Sequence, residues 1–244
     1  MKKLSKKTVI RILLFFSISF ITSFIFRYWI LINYKNISIF QSLLYGILSA
    51  SGPFLAGLIL MKKSNSEMSL WGNFNSRIIL TLFIPSIIFG FFGSKVILIN
   101  QNISGIIIGL YISIYSLLEE YGWRGYLQSE LRDIKPILIY FIVSFFWYLW
   151  HLTFLGQTSF INEIITFLIL FASSIGIGVM ADRSKSILYA SYFHILGNIC
   201  FLSSLLIENI DVKYRYLTVI LIIIINIIEF KRLKNKLKSE EKNN

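Results

Sequence analysis

A single cysteine, Cys200, stands in an apolar run, so neither a disulfide framework nor a cysteine zinc site is available to this 244-residue chain. Charge is scarce as well: Asp, Glu, Lys and Arg together make up 15%, against 56% hydrophobic residues and a mean hydropathy of +0.71. That balance excludes an ordinary soluble domain with a buried core and suits an all-α, polytopic membrane helix bundle. The net charge of +12 raises the question of nucleic acid. The basic residues fall in short segments between apolar runs, where the positive-inside rule accounts for them, and no nucleic-acid partner is expected. No small-residue cleavage site follows the MKKLSKK start before Arg27, Tyr28 and Trp29, which reads as a retained first anchor rather than a signal peptide. There is no internal repeat and no low-complexity linker.

What is present is a series of long apolar runs. A spanning helix needs about 20 apolar residues, and the charges divide the chain into about eight transmembrane candidates, at 8–26, 38–61, 78–94, 104–128, 136–154, 164–181, 186–207 and 214–230. Lys and Arg number 18 on one side of this arrangement and 5 on the other, with Arg124 set aside as a cavity residue. Both termini are therefore expected to be cytoplasmic, in a multi-pass protein of the cell membrane whose immediate partner is the lipid bilayer. The expected organisation is a membrane domain over 1–230, with its chemistry-bearing core at 104–207, and a basic tail over 231–244. Such a tail is foremost a topology anchor, and it also suits contact with anionic headgroups.

The 96–118 run contains no charge and ends in Glu119 and Glu120, followed by Arg124. Ionisable groups at membrane depth are costly and mark function. Glu120 and Arg124 are four apart, on one helical face. Glu119 is turned away by about 100°, and is left free to handle a proton. The only two histidines, His151 and His194, also lie in apolar runs, and Asn198 shares the face of His194. At about 1.5 Å per residue, Glu119, His151 and His194 all reach the middle of a hydrocarbon layer roughly 30 Å thick, provided that the fourth helix continues past Gly122. The aromatic residues Phe145, Phe146, Trp147, Tyr148 and Trp150 read, for the most part, as lipid-facing and packing positions.

Together these pieces resemble the CPBP intramembrane protease family, which includes type II CAAX prenyl endopeptidases and bacteriocin-immunity (Abi) proteins. Glu119, Glu120, Arg124 and Gly125 match its first motif. In its second motif, phenylalanine, three residues, histidine, Trp147 replaces the phenylalanine before His151. His194 and Asn198 match its third. The resemblance implies an endopeptidase acting on a peptide or membrane-protein substrate. In it, Glu119 and His151 activate water, Glu120 and Arg124 form a supporting ion pair, and His194 and Asn198 stabilise the oxyanion. No cofactor is required by this reading, and a zinc or other divalent metal on Glu119, His151 and His194 stays open as a second route. The alternative from another class is a non-catalytic immunity or peptide-sequestering protein using the same cavity. A transporter ranks last, because neither inverted halves nor paired broken helices are visible.

Overall fold

The computed structural model describes residues 4–33, 37–61, 67–73, 76–96, 99–152, 158–202 and 204–243, and the side chains of all of these except 31, 76–78, 201, 202, 204, 233 and 236–243. Of the charges used above for topology, Lys2, Lys3, Lys35, Lys62 and Lys63 lie outside the described residues, as does the end of the expected 136–154 span at 153–154.

The described residues form an all-helical bundle without strands: α1 (Lys6–Asn33), α2 (Ile39–Met61), a 3₁₀ segment (Ser76–Phe83) leading into α3 (Ile84–Phe92), α4 (Gln101–Glu120), α5 (Pro136–His151), α6 (Phe160–Ser184), α7 (Ile187–Gly197), α8 (Ser204–Asn209) and α9 (Val212–Asn243). A π-helical segment, Tyr121–Gln128, continues α4, and another, Asn198–Leu202, continues α7. Among the described residues four stretches are long and apolar enough to cross a membrane: Lys6–Ile30, Ile39–Met61, Gln101–Gln128 and Phe160–Ser184. Ile79–Phe92, Pro136–His151 and Ile187–Cys200 are shorter apolar helices.

Local chemistry sets several of these boundaries. The Asn100 side chain accepts the Ile103 N–H, that of Ser159 the Asn162 N–H, and that of Ser186 the Tyr189 N–H, each satisfying a donor that has no intrahelical partner. Pro136 opens α5, where a missing N–H costs nothing. Pro53 stands inside α2 and supplies no N–H to the carbonyl of Ser49. Ser23 Oγ of α1 donates to that carbonyl at 2.6 Å instead, and Trp150 Nε1 of α5 donates to Ser23 Oγ at 2.8 Å. The defect in one helix thereby ties three helices together.

Two apolar cores flank α7. One gathers Phe15, Trp123, Tyr126, Trp147, Trp150 and their neighbours from α1, α2, the 121–128 segment, α5 and α6; the other gathers Phe89, Ile108, Ile112, Tyr192 and Ile222 from α3, α4, α7 and α9. At one end of the bundle the 67–73 segment docks on the turn between α6 and α7. Ser69 N–H donates to Lys185 O at 3.0 Å, and Ile187 N–H donates to Ser69 O at 3.0 Å.

Candidate active site

The fourth helix runs past Gly122, as the site requires, but in an altered form. Residues Tyr121–Gln128 are π-helical and almost wholly buried. Isolated π turns inside α-helices recur at functional sites because they re-aim side chains without ending the helix. Gly122 is needed here for closeness: a Cβ at this position would lie 2.3 Å from the carbonyl oxygen of Pro53, so α2 packs directly on the backbone of the segment.

Glu120 and Arg124 form the expected pair. Arg124 Nη1 donates to Glu120 Oε1 at 3.0 Å, and both side chains are fully buried. A third group joins them: His194 Nδ1 lies 2.7 Å from the same oxygen. Toward a carboxylate, which only accepts, that nitrogen carries the hydrogen. His194 Nε2 is then the ring position available to anything else.

Glu119 is also fully buried, but it is not the unengaged carboxylate that the sequence suggests. Trp147 Nε1 donates to its Oε2 at 2.6 Å, and Arg27 Nη2 lies 3.9 Å from its Oε1. Arg27 is one of the five Lys and Arg that the charge count assigns to the poorly charged side, with Lys35, Lys95, Lys213 and Arg215. In the structure it comes off α1 into the bundle, with its guanidinium 3.5 Å from the centre of the Trp150 ring and its Nη2 donating to Tyr115 Oη at 2.7 Å. The correction has a physical cause: the stem of an arginine near a helix end is long enough to carry its charge several ångströms inward to a carboxylate. A charge count along the sequence does not register that reach.

The indole of Trp147 stands among the remaining groups. Its ring centre is 5.6 Å from that of His151 and 5.2 Å from that of His194, and the Arg124 guanidinium lies 4.9 Å from it. His151 Nδ1 lies 2.7 Å from the carbonyl oxygen of Trp147 and donates to it, which leaves Nε2 with the lone pair that can take up a proton. Asn198 Nδ2 donates to Ser116 Oγ at 3.2 Å, which leaves its second amide hydrogen uncommitted to that bond. Trp147 and Trp150 are fully buried, as packing positions are, and stand against the acidic and imidazole side chains, whereas Phe145 is exposed, as a lipid-facing position is. Sequence reasoning missed Arg27, Tyr115 and Ser116 altogether. The one signal for Arg27 is that it is the only cation between Arg11 and Lys35.

The residues named for a metal do not fit one as they stand. Among the described residues no three His, Cys, Asp or Glu side chains gather as a ligand set. Of the three named, Glu119 is engaged by an indole and faces an arginine, whereas each histidine, with Nδ1 engaged, keeps Nε2, the arrangement that a metal-ligating imidazole adopts. Unmatched polar atoms remain inside: Glu119 Oε1, Glu120 Oε2, Arg27 Nε and Arg124 Nε and Nη2 are buried without a hydrogen-bond partner among the described residues. Donors and acceptors left open in one place are what an internal water site offers.

A polar cleft of about 260 Å³ lies elsewhere, lined by Glu67, Gln128, Arg132, Asp182 and Lys185 among others. It belongs to the end of the bundle where the 67–73 segment docks, and none of the acid, imidazole or carboxamide groups above lines it.

A helical, strongly apolar bundle that buries Glu119, Glu120, Arg124 and His194 around the Trp147 indole, with Arg27 and His151 half-buried beside them, points to a membrane protein. The family model described as type II CAAX prenyl endopeptidase Rce1-like matches residues 99–200, which hold every motif residue named above. That match supports the CPBP/CAAX protease family for this segment. No curated protein matches the chain.

Proposed function

We propose that this protein is an intramembrane endopeptidase of the CAAX-protease type, acting on a membrane-associated protein or peptide. In this reading residues 1–230 form one protease domain of eight spans in the cell membrane, and residues 231–244 a cytoplasmic basic tail, with both termini on the cytoplasmic side. Glu119 and His151 share the removal of a proton from water, with His151 Nε2 as the acceptor that its Trp147 hydrogen bond leaves open. The water oxygen bonds to the scissile carbonyl carbon, and the electron pair of the C=O moves onto oxygen. His194 and Asn198 donate to that oxyanion. Since Nδ1 of His194 is held by Glu120, donation from Nε2 needs the imidazolium form, for which Glu120 is the counter-ion. The C–N bond then breaks as the proton passes to the leaving nitrogen. Arg124 keeps Glu120 in place throughout.

The observation that carries this reading is the fully buried Glu119 carboxylate on an indole whose ring also contacts both histidines. Few structural roles call for such a grouping at membrane depth. The test is cleavage of an internally quenched, prenylated CAAX peptide by the full chain in proteoliposomes. Glu119→Gln, which keeps the side chain's size, is expected to lower the rate by roughly 10²- to 10⁴-fold without lowering accumulation. Wild-type rates in Glu119→Gln would overturn it. A phenotype that survives in a folded His194→Ala variant would favour the non-catalytic, peptide-sequestering role instead.

A further inference from the structure

Glu119 is met from two helices by groups that its assigned reaction does not use. Trp147 Nε1–H of α5 donates to Oε2 at 2.6 Å, and the Arg27 guanidinium of α1 lies 3.9 Å from Oε1. The geometry points to Trp147 and Arg27 as positioning residues, a two-point clamp that fixes the plane of the Glu119 carboxylate and turns Oε1 toward the reacting water. This rests on the assignment of Glu119 as a group that, with His151, activates the water.

Both arms of the clamp are themselves held. The Trp147 ring is enclosed by Arg124, His151 and His194. Arg27 is fixed by the Trp150 face and by Tyr115 Oη, Trp150 by Ser23, and Ser23 by the Ser49 carbonyl that Pro53 leaves open. Preorganisation of this kind fixes a reacting group because its supports have no alternative rotamers. Neither arm follows from the motif. A phenylalanine at position 147 would have a ring but no N–H, and Arg27 lies outside the matched segment 99–200. The clamp is thus a feature of this chain rather than of its motif residues. With Oε2 taken by the indole, Oε1 is the oxygen left without a hydrogen bond by distance among the described residues, and the Tyr115 hydroxyl of the same helix also interacts with the carboxylate.

Two measurements on the full chain test this. In detergent micelles with ¹⁵N-labelled tryptophan, Trp147→Phe identifies the Trp147 indole resonance by its disappearance. A short bond to a carboxylate shifts that N–H downfield, and Glu119→Gln is expected to move it upfield. With the quenched prenylated CAAX peptide, Trp147→Phe and Arg27→Gln are expected to lower kcat by about 10- to 100-fold at little-changed KM, as misalignment of a reacting group does, and Arg27→Lys to recover most of the loss. An indole resonance unmoved in Glu119→Gln would overturn the clamp. A resonance that moves while Trp147→Phe keeps the wild-type kcat would overturn its positioning role. Should Arg27→Gln fail to accumulate, Arg27→Lys and the resonance decide. If Glu119→Gln itself still cleaves, the assigned role of Glu119 fails, and the resonance still reports whether the contact exists.

Discussion

Two clusters in this molecule are built from the same kinds of side chain and differ in how deep they lie. In the interior, Glu119 and Glu120 meet Arg124, Trp147 and His194 with almost no exposure, and a half-buried Arg27 faces Glu119. At the end of the bundle, Asp182 accepts from Tyr140 Oη at 2.9 Å and from Gln128 Nε2 at 2.8 Å in a part-buried setting. There too, Glu67 pairs with Lys185 at 3.0 Å with both side chains substantially exposed. Water competes fully for the Glu67–Lys185 pair, in part for the Asp182 bonds, and least in the first cluster. Removing a partner should therefore cost little where water can replace it and much where nothing can.

The comparison is broken most severely at Arg124. Arg124→Ala strands the Glu120 carboxylate with His194 as its remaining partner, and breaking a buried pair from one side costs about 3–5 kcal/mol. The variant is expected to accumulate poorly and to unfold at markedly lower denaturant. Near-normal accumulation would mean that water reaches Glu120. Glu120→Ala should behave alike for the mirror-image reason. An intermediate effect is expected at Gly122→Ala, whose Cβ would sit against the Pro53 carbonyl. Backbone cannot yield as a flexible side chain does, so α2 must shift, at a cost of about 1–3 kcal/mol by analogy with overpacked cores. Thermal unfolding in detergent measures it. Tyr140→Phe removes one of two donors to Asp182 and should cost about 1 kcal/mol.

How much of this could be read beforehand follows from the same contrast. The all-helical class, the buried Glu120–Arg124 pair and the gathering of both histidines near the acidic pair follow from apolar runs and i, i+4 spacing, which are local properties of the chain. Arg27 escaped because charge counting treats a cation at the end of an apolar run as a loop marker, and its partner is ninety-two positions away. Trp147 was visible as a departure from a motif, yet spacing does not tell which edge of an indole faces a carboxylate. The π-helical form of 121–128 has no counterpart in residue pattern beyond its two glycines. The packing of α2 on Gly122 of that segment is a long-range contact, which spacing does not register.

The smallest effect is expected at the exposed end, and it also has a pH signature. A hydrogen bond from Lys185, reinforced by its charge, holds the Glu67 carboxyl below its ordinary value. A carboxylate depressed in the folded state stabilises it above the unfolded-state value, and that contribution is lost as the pH falls through the folded one. Glu67→Gln should therefore lower Tm by no more than about 2 °C at neutral pH, since exposed pairs are screened. The difference from wild type should vanish once the medium is acid enough to protonate Glu67 in both states. A Glu67→Gln effect as large as that of Tyr140→Phe, or one that persists in acid, would show that the 67–73 segment is held by more than an exposed ion pair. The sharp division between an exposed end and a buried interior would then have to be redrawn.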